Sequence, residues 1–482
     1  MKPHIITILP LFLFLILIPI YIPIVNLAQA SSSSDSTSST TTDDIPTIHN
    51  AKSKPLPGGP TLNDPNLNLE QIFTGLDQPT GMTFVGPNDI LVTEKNTGIV
   101  KRITNGQLNP EPVLDVSIAN IKERGMLGIA AAVNSNSNGN APTNTIGPTY
   151  VFLYYTESSS TTDGDDANSE ENVLGSRLYR YELIDNQLVN PKLLLDLPAH
   201  PPPDREEASR DHYGGKVLIG PADNYVYVGI GNVAVHKGQA QNVLDGEPLD
   251  GTSGILRVTQ DGQVSPNPPL GSTQPMSPYY YAYGIRNTFG MDFDPITGKL
   301  WDTENGPTSA DEINIVEPGF NSGHSKIHGF AKDASSADIE DDSEDASSEA
   351  TAATNPATDL VNFGGNSQYS DPEFVWTAPL GVTALKFLNS DKLGKQYQNT
   401  MFIGDTNLGW LYNFKPNPQR TGLMFSDGSP LADKIADTPE EMQETIFGKG
   451  FGVITDIQVS PYDGTLYVLT YAGSIYKIYS SL

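Results

Sequence analysis

The sequence predicts an all-β fold, a six-bladed β-propeller built from four-stranded antiparallel blades. Three observations carry this expectation. A hairpin-like pattern recurs six times, apolar residues alternate within each copy, and turn formers abound, with 44 Gly and 38 Pro beside 21 Tyr and 17 Phe in 482 residues. Alternation with a period of two belongs to strands that pack between neighbouring sheets. Helical spacing of apolar residues is not seen.

The most similar copies read ILVTEKNTGIVKRI at 90–103, MFIGDTNLGWLYNF at 401–414 and LYVLTYAGSIYKIY at 466–479. Looser copies, with insertions in the turn, are YVFLYYTES with SRLYRYEL (150–183), YVYVGIGN with GTSGILRV (225–258), and LWDTENGPTSADEINIV (300–316). Each copy is expected to form the central hairpin of one blade. Turns such as Asp294-Pro295-Ile296-Thr297-Gly298 and Ser460-Pro461-Tyr462-Asp463-Gly464 would join the preceding strand to the repeat. The longest gap holds residues 332–357, acidic and free of aromatics, which read as a disordered surface insertion. Its carboxylates, like Asp163, Asp165 and Asp166, lack the full calcium-loop pattern and read as solvated charge.

The N-terminus shows Lys2, an apolar run from Ile5 to Val25, then Ala28-Gln29-Ala30. Residues 1–30 are therefore a signal peptide or an uncleaved membrane anchor, residues 31–64 a disordered Ser/Thr-rich linker, and residues 65–482 the propeller. Either reading puts the folded part outside the cytoplasm, extracellular or at the cell surface. Fifty-seven acidic residues against 28 Lys plus Arg give a formal charge of -29, which opposes nucleic acid as a partner and leaves membrane contact to the N-terminal segment. Without cysteine there is no disulfide, thiolate nucleophile or zinc ribbon. No motif identifies the electron acceptor, and a homodimer is left open.

Among chemical motifs, GxSxG, HExxH and GxxxxGK[ST] are absent. Gly229-Ile230-Gly231-Asn232-Val233-Ala234 fits GxGxxA but opens no helix, so it is no dinucleotide fingerprint. Two constellations remain. In Arg210-Asp211-His212-Tyr213-Gly214-Gly215-Lys216-Val217, His212 is suited to accept a proton at a channel mouth, while the bland reading makes it a structural histidine. Asp211 would point away from it on a regular strand, so a direct Asp–His pair needs a turn, which the Gly pair permits. In Tyr283-Gly284-Ile285-Arg286-Asn287-Thr288-Phe289-Gly290, Arg286 and Asn287 can address one ligand, Arg286 polarising an oxygen; alternatively Arg286 pairs with a surplus carboxylate.

The segments DHYGGKVLIGP, YAYGIRNTFGMDFDPITGKLWDTENGP and DEINIVEPGFNSG, with LDQPTGMTFV, resemble the glucose/sorbosone dehydrogenase family, which includes soluble aldose dehydrogenases dependent on pyrroloquinoline quinone (PQQ). The resemblance runs from about Leu69 to Tyr479 and implies a six-bladed propeller that uses PQQ and calcium to oxidise the anomeric hydroxyl of a small sugar to a lactone. By that resemblance His212 is the base, supported by Asp211, which also contacts substrate. Arg286 polarises the quinone, and Asn287, Asn305, Asn407 and Thr455 occupy cofactor positions. Gly306 and Pro307 offer carbonyls to one calcium, Glu312 and the backbone of Ser322 to another. Arg124 stands where family members place a sugar-contacting Gln.

Departures from the family pattern are equally specific. PQQ carries three carboxylates, and the cations that family members set against them are replaced by Asn407, Val453 and Thr455. Such losses would cost roughly a few kcal/mol each unless other residues compensate. Asn321-Ser322-Gly323-His324-Ser325 stands where N-Y-G-W-P is common. An exported aldose dehydrogenase explains the retained His212, Arg286 and Asn287. A non-catalytic cell-surface propeller acting as a binding module explains the lost cations. A calcium-dependent lactone hydrolase would need converging acidic ligands that the sequence does not single out.

Overall fold

A computed structural model describes residues 53–132, 149–160, 170–205, 208–333 and 359–480. Within these residues the chain is all-β, with only short 3-10 turns as helix, and its strands fall into six antiparallel-based sheets in a propeller-like arrangement. Each sequence repeat is one hairpin of one sheet. The hairpins are Asp89–Glu94 with Ile99–Thr104, Thr149–Ser158 with Val173–Ile184, Val226–Ile230 with Gly254–Val258, Leu300–Glu304 with Asp311–Val316, Met401–Asp405 with Trp410–Pro416, and Leu466–Thr470 with Ser474–Ser480.

A further strand precedes each hairpin and pairs antiparallel with its first strand. In order these are Pro79–Gly86, Met126–Ala132, Val217–Ile219, Thr288–Phe293, Val382–Phe387 and Ile454–Val459. Consecutive members pack on one another, the third and fourth through Val226–Ile230, and Ile454–Val459 packs back on Pro79–Gly86, so they close a ring. Aromatic edges lock neighbouring sheets: Tyr227 meets Phe293 at 5.2 Å, Trp301 meets Phe387 at 6.0 Å, and Tyr467 meets Phe84 at 5.0 Å. The turn before Leu300 closes as anticipated, with Gly298 N donating to Asp294 O at 2.8 Å and φ of +72° at the glycine.

Two expectations need correction. The blades are not uniformly four-stranded: only two sheets have four strands, and the others have five or six. The extra strands are short segments of the long loops, such as Gln368–Tyr369 and Ile435–Ala436, which bond to sheet edges in parallel and cover them. Nor are residues 53–64 a disordered linker. Thr61–Leu62 pairs with Ile446–Lys449, and Ser53 N donates to Thr406 O at 2.8 Å. Leu62 is the reason, since it packs on the apolar cluster around Phe447. Residues 1–52, the loop carrying Asp163, Asp165 and Asp166, and residues 334–357 of the acidic insertion lie outside the described residues.

One sheet joins both ends of the described chain. Leu67–Thr74 pairs antiparallel with Ser474–Ser480, from Leu67 opposite Ser480 to Thr74 opposite Ser474.

Candidate active site

The leading ends of the six ring strands surround a cavity of about 420 Å³, within the size range of small-molecule sites. Gly81, Leu127, Lys216, Asn287, Thr383 and Thr455 each come from a different sheet and line it, so the cavity stands at one mouth of the ring. His212 and Arg286 share its wall.

His212 has φ of +66°, a left-handed turn just before the Gly pair. That turn does not make the anticipated Asp–His pair. Asp211 bonds instead to the Ser209 hydroxyl through its carboxylate and to Ala234 N through its carbonyl at 2.9 Å. The ring of His212 bonds through Nδ1 to Asn232 Oδ1 at 2.6 Å. Burial, then the charge of Arg286, lower its pKa to about 3, against the opposing effect of the Asn232 bond. The imidazole is neutral throughout the physiological range.

Asn232 begins a turn in which Val233, Ala234 and Val235 all have positive φ, an uncommon run for residues with side chains. Ahead of it, Gly231 lets the two constellations meet. A methyl there would strike the His212 carbonyl and stand 2.7 Å from Arg286 O and 2.8 Å from Asn287 Oδ1. The GxGxxA coincidence thus hides a real requirement for glycine, one of close approach between loops.

Arg286 N donates to Glu304 Oε1 at 2.6 Å and its Nη1 to Asn305 O at 3.1 Å, which fixes the guanidinium against the wall. Asn287 Oδ1 accepts from Gly214 N at 3.2 Å and its Nδ2 donates to Glu123 Oε2 at 3.2 Å, so this amide ties the loops together. The same Glu123 oxygen accepts from His212 N at 2.7 Å. Burial and then the charge of Asp211 push the Glu123 carboxyl up. Asn305 also lines the cavity, and its Oδ1 is buried without a protein partner.

The sequence reading missed the cations of this wall. Lys95, Lys122 and Lys216 line the cavity together with Arg286. Lys95 Nζ donates to Asn96 Oδ1 at 3.0 Å and to Asn120 O at 3.2 Å. Lys216 pairs with Asp456 at 2.6 Å, where the side chains are only 10% and 3% exposed. Lys95 and Lys122 come from turns that carry no motif, while Lys216 follows the Gly pair of the His212 constellation, where its role went unread.

Residues 76–477 match the profile of the glucose/sorbosone dehydrogenases. The chain belongs to that family. It is 24% identical to quinoprotein glucose dehydrogenase B of Acinetobacter calcoaceticus over 462 residues, 86% of this chain and 87% of the relative. The soluble aldose sugar dehydrogenase of Escherichia coli in its apo form superposes with a TM-score of 0.58 at 20% identity, covering 86% of this chain and 99% of that one. The PQQ-bound aldose sugar dehydrogenase of Streptomyces coelicolor does so with a TM-score of 0.55 at 19% identity, covering 87% and 99%. This family member is accordingly an oxidoreductase of the glucose and aldose dehydrogenase type.

Of the residues carried over from the family resemblance, His212, Arg286, Asn287, Asn305, Gly306, Pro307, Asn407 and Thr455 come together around the cavity. Arg124 does not. It is fully buried behind the wall, where its guanidinium bonds to Glu170 at 2.9 Å and to the Tyr213 hydroxyl at 3.0 Å. The side chain presented to the cavity is Glu123, one residue earlier, because residues 121–124 form a turn, closed by Arg124 N on Ile121 O at 3.1 Å, that sets Lys122 and Glu123 on the cavity side and Arg124 behind it. Asn407 lines the cavity with its amide committed to Pro379 O at 2.9 Å.

Glu312 and Ser322 lie behind the wall. Glu304 and Glu312 are directly opposed across two strands, as are Asp302 and Asn314. Glu304 Oε2 accepts from the Ser322 hydroxyl at 2.6 Å, and Glu312 accepts from Gly329 N. Both oxygens of fully buried Asp302 have no hydrogen-bond partner. Burial pushes Glu304 and Glu312 up, Glu312 also through the charge of Glu304. Among the described residues no three His, Asp or Glu side chains converge as a metal-binding group.

Proposed function

We propose that this protein is an exported, PQQ-dependent aldose dehydrogenase that oxidises the anomeric hydroxyl of a sugar to a lactone, with His212 as general base. The observation that carries the reading is a neutral histidine on the wall of a closed-ring cavity beside Arg286 and three lysines. Each of the six sheets is read as one blade.

The residues fit the cofactor class. PQQ is a tricarboxylate, and an anion leaves water at little cost only where cations receive it. Lys95 and Lys122 set on the cavity wall charge that Asn407, Val453 and Thr455 lack, whereas the charge of Lys216 is taken up by Asp456. This compensation favours the enzyme over the non-catalytic binding module. Gly306 and Pro307 would offer carbonyl oxygens to a calcium beside the cofactor, and Glu312 with the backbone of Ser322 would hold a second.

When bound, PQQ supplies a two-electron acceptor for the hydride that leaves the anomeric carbon. His212 takes the proton of the anomeric hydroxyl at Nε2, since Nδ1 is committed to Asn232. Its low basicity requires that proton transfer accompany loss of the hydride, when the hydroxyl becomes strongly acidic. Arg286 stabilises negative charge that develops on an oxygen brought against it. Glu123, next to the base, can accept a hydrogen bond from a sugar hydroxyl.

Calorimetric titration of the purified protein with PQQ and calcium, followed by dye reduction with a panel of aldoses, tests the reading. Saturable PQQ binding with aldose-dependent dye reduction is expected. Absence of PQQ binding would sink it and favour the binding module.

A further inference from the structure

Behind His212 lies a second histidine. Asn232 Oδ1 stands 2.6 Å from His212 Nδ1, and Asn232 Nδ2 stands 3.0 Å from His324 Nε2. We infer that His324 is a positioning residue, which holds the Asn232 amide with its oxygen on His212 and thereby keeps the lone pair of His212 on Nε2, facing the cavity. The inference rests on His212 being the base.

A primary amide has a donor end and an acceptor end, and a neutral imidazole has one of each. The three groups are therefore coupled: a lone pair on His324 Nε2 draws the Asn232 NH2, which turns Oδ1 toward His212 and places the proton on its Nδ1. If the amide turned end for end, both bonds would still form, but His212 would carry its proton on Nε2 and could accept none from substrate. The choice between two arrangements with equal numbers of bonds falls to whatever fixes His324.

His324 Nδ1 is buried without a hydrogen-bond partner among the described residues, so it is the enclosure of the ring, and not a second bond, that holds its Nε2 on Asn232. Its side chain is fully enclosed, 2% exposed, and its backbone is held by bonds from His324 N to Gly284 O at 2.9 Å and from Asn242 Nδ2 to His324 O at 2.7 Å. Asn232 is held on its other side by the bond from its N to Arg286 O at 2.8 Å, so both functional loops frame the relay.

Other charged groups near His212 do not set its proton. Asp211, its chain neighbour, bonds Ser209 and Ala234. Glu123 bonds its backbone N rather than its ring, and Arg286 can only donate. A carboxylate behind the ring would accept from Nδ1 whichever way it turned. An amide cannot, and needs a partner to orient it.

The test combines imidazole 15N–1H correlation spectra of the histidine-labelled protein with kinetics of the PQQ- and calcium-loaded protein. The wild type is expected to show His212 protonated on Nδ1. In His324→Leu, part of the His212 signal should move to the Nε2–H form, and kcat should fall at least ~10-fold with KM within about twofold, as a wrong tautomer disables a base without touching binding. His324→Glu, whose carboxylate can only accept the same bond, should recover most of the loss. So should Asn232→Asp placed on His324→Leu, with the acid limb of the rate profile moved upward. A wild-type His212 protonated on Nε2 would overturn the inference even if the leucine variant does not fold. A folded leucine variant with unchanged tautomer and kcat would overturn it too, as would failure of both rescues. The expected tautomers in a protein that oxidises no aldose would instead defeat the functional proposal and leave the positioning role standing.

Discussion

Replacing His212 by glutamine separates what the imidazole does for chemistry from what it costs the fold. The folded chain keeps this ring neutral down to about pH 3, because burial and the charge of Arg286 oppose its cation. The unfolded chain takes up a proton near pH 6.5. A lowered folded-state pKa means that the wild type loses stability as the pH falls below 6.5, a loss that continues until the native ring itself protonates. At pH 5 the full shift would amount to about 2 kcal/mol, and screening through the open cavity reduces it to about 1–2 kcal/mol. His212→Gln has no such loss. With an unfolding entropy of ~0.9 kcal/mol/K for a folded part of roughly 430 residues, the difference in Tm between variant and wild type should move by about 1–2 °C in favour of the variant from pH 8 to pH 5. Paired melting curves at the two pH values measure this, and every other titrating group cancels in the comparison. Aldose-dependent dye reduction should fall by about 10²–10⁴-fold in the same variant. A Tm difference that does not change with pH, or turnover within about tenfold of wild type, would refute the reasoning.

Lys216→Met leaves Asp456 buried without its ion-pair partner, although Met82 N still donates to it at 2.9 Å; the expected cost is about 3 kcal/mol, or ~3 °C in Tm, and Asp456→Asn on the same background should restore more than half. Calcium filling the Glu312 and Ser322 site at about 100 times its Kd should raise the Tm of the chelator-treated protein by about 3 °C, the equivalent of ~2.7 kcal/mol, and Glu312→Gln should remove that contribution. Gly231→Ala forces the His212 and Arg286 loops apart at a cost of about 1–3 kcal/mol. Its kcat should fall more than its stability explains, as dye reduction below the melting range would register.

The propeller was legible because its signal is repeated: LYVLTYAGSIYKIY and MFIGDTNLGWLYNF announce the same hairpin, and alternation within each states which side is buried. His212, Arg286 and Asn287 were legible because each sits in a short run of glycines and polar residues that a bare strand would not need. The slip from Glu123 to Arg124 had a local cause. Gly125, at φ of +141°, starts the turn into Met126–Ala132, and motif order alone does not say which neighbour faces inward. Lys95 and Lys122, and the cavity-facing role of Lys216 within its motif, were illegible for a different reason. A lysine on a surface turn and a lysine aimed into a cavity look alike in a sequence, and only closure of the ring brings these three together. The same holds for Asn232 and His324, 92 residues apart in the chain and bonded at 3.0 Å.

The pairing of Leu67–Thr74 with Ser474–Ser480 has a consequence for biogenesis. The strand that shuts the ring is made after every other described strand, so the cavity cannot be completed before that strand has emerged. Until then the earlier sheets are an open arc, and the site gains its walls only once the two strands meet. A nascent chain stalled before Ser474 should therefore be sensitive to protease and unable to retain a cofactor, however much of its cavity wall has already been synthesised.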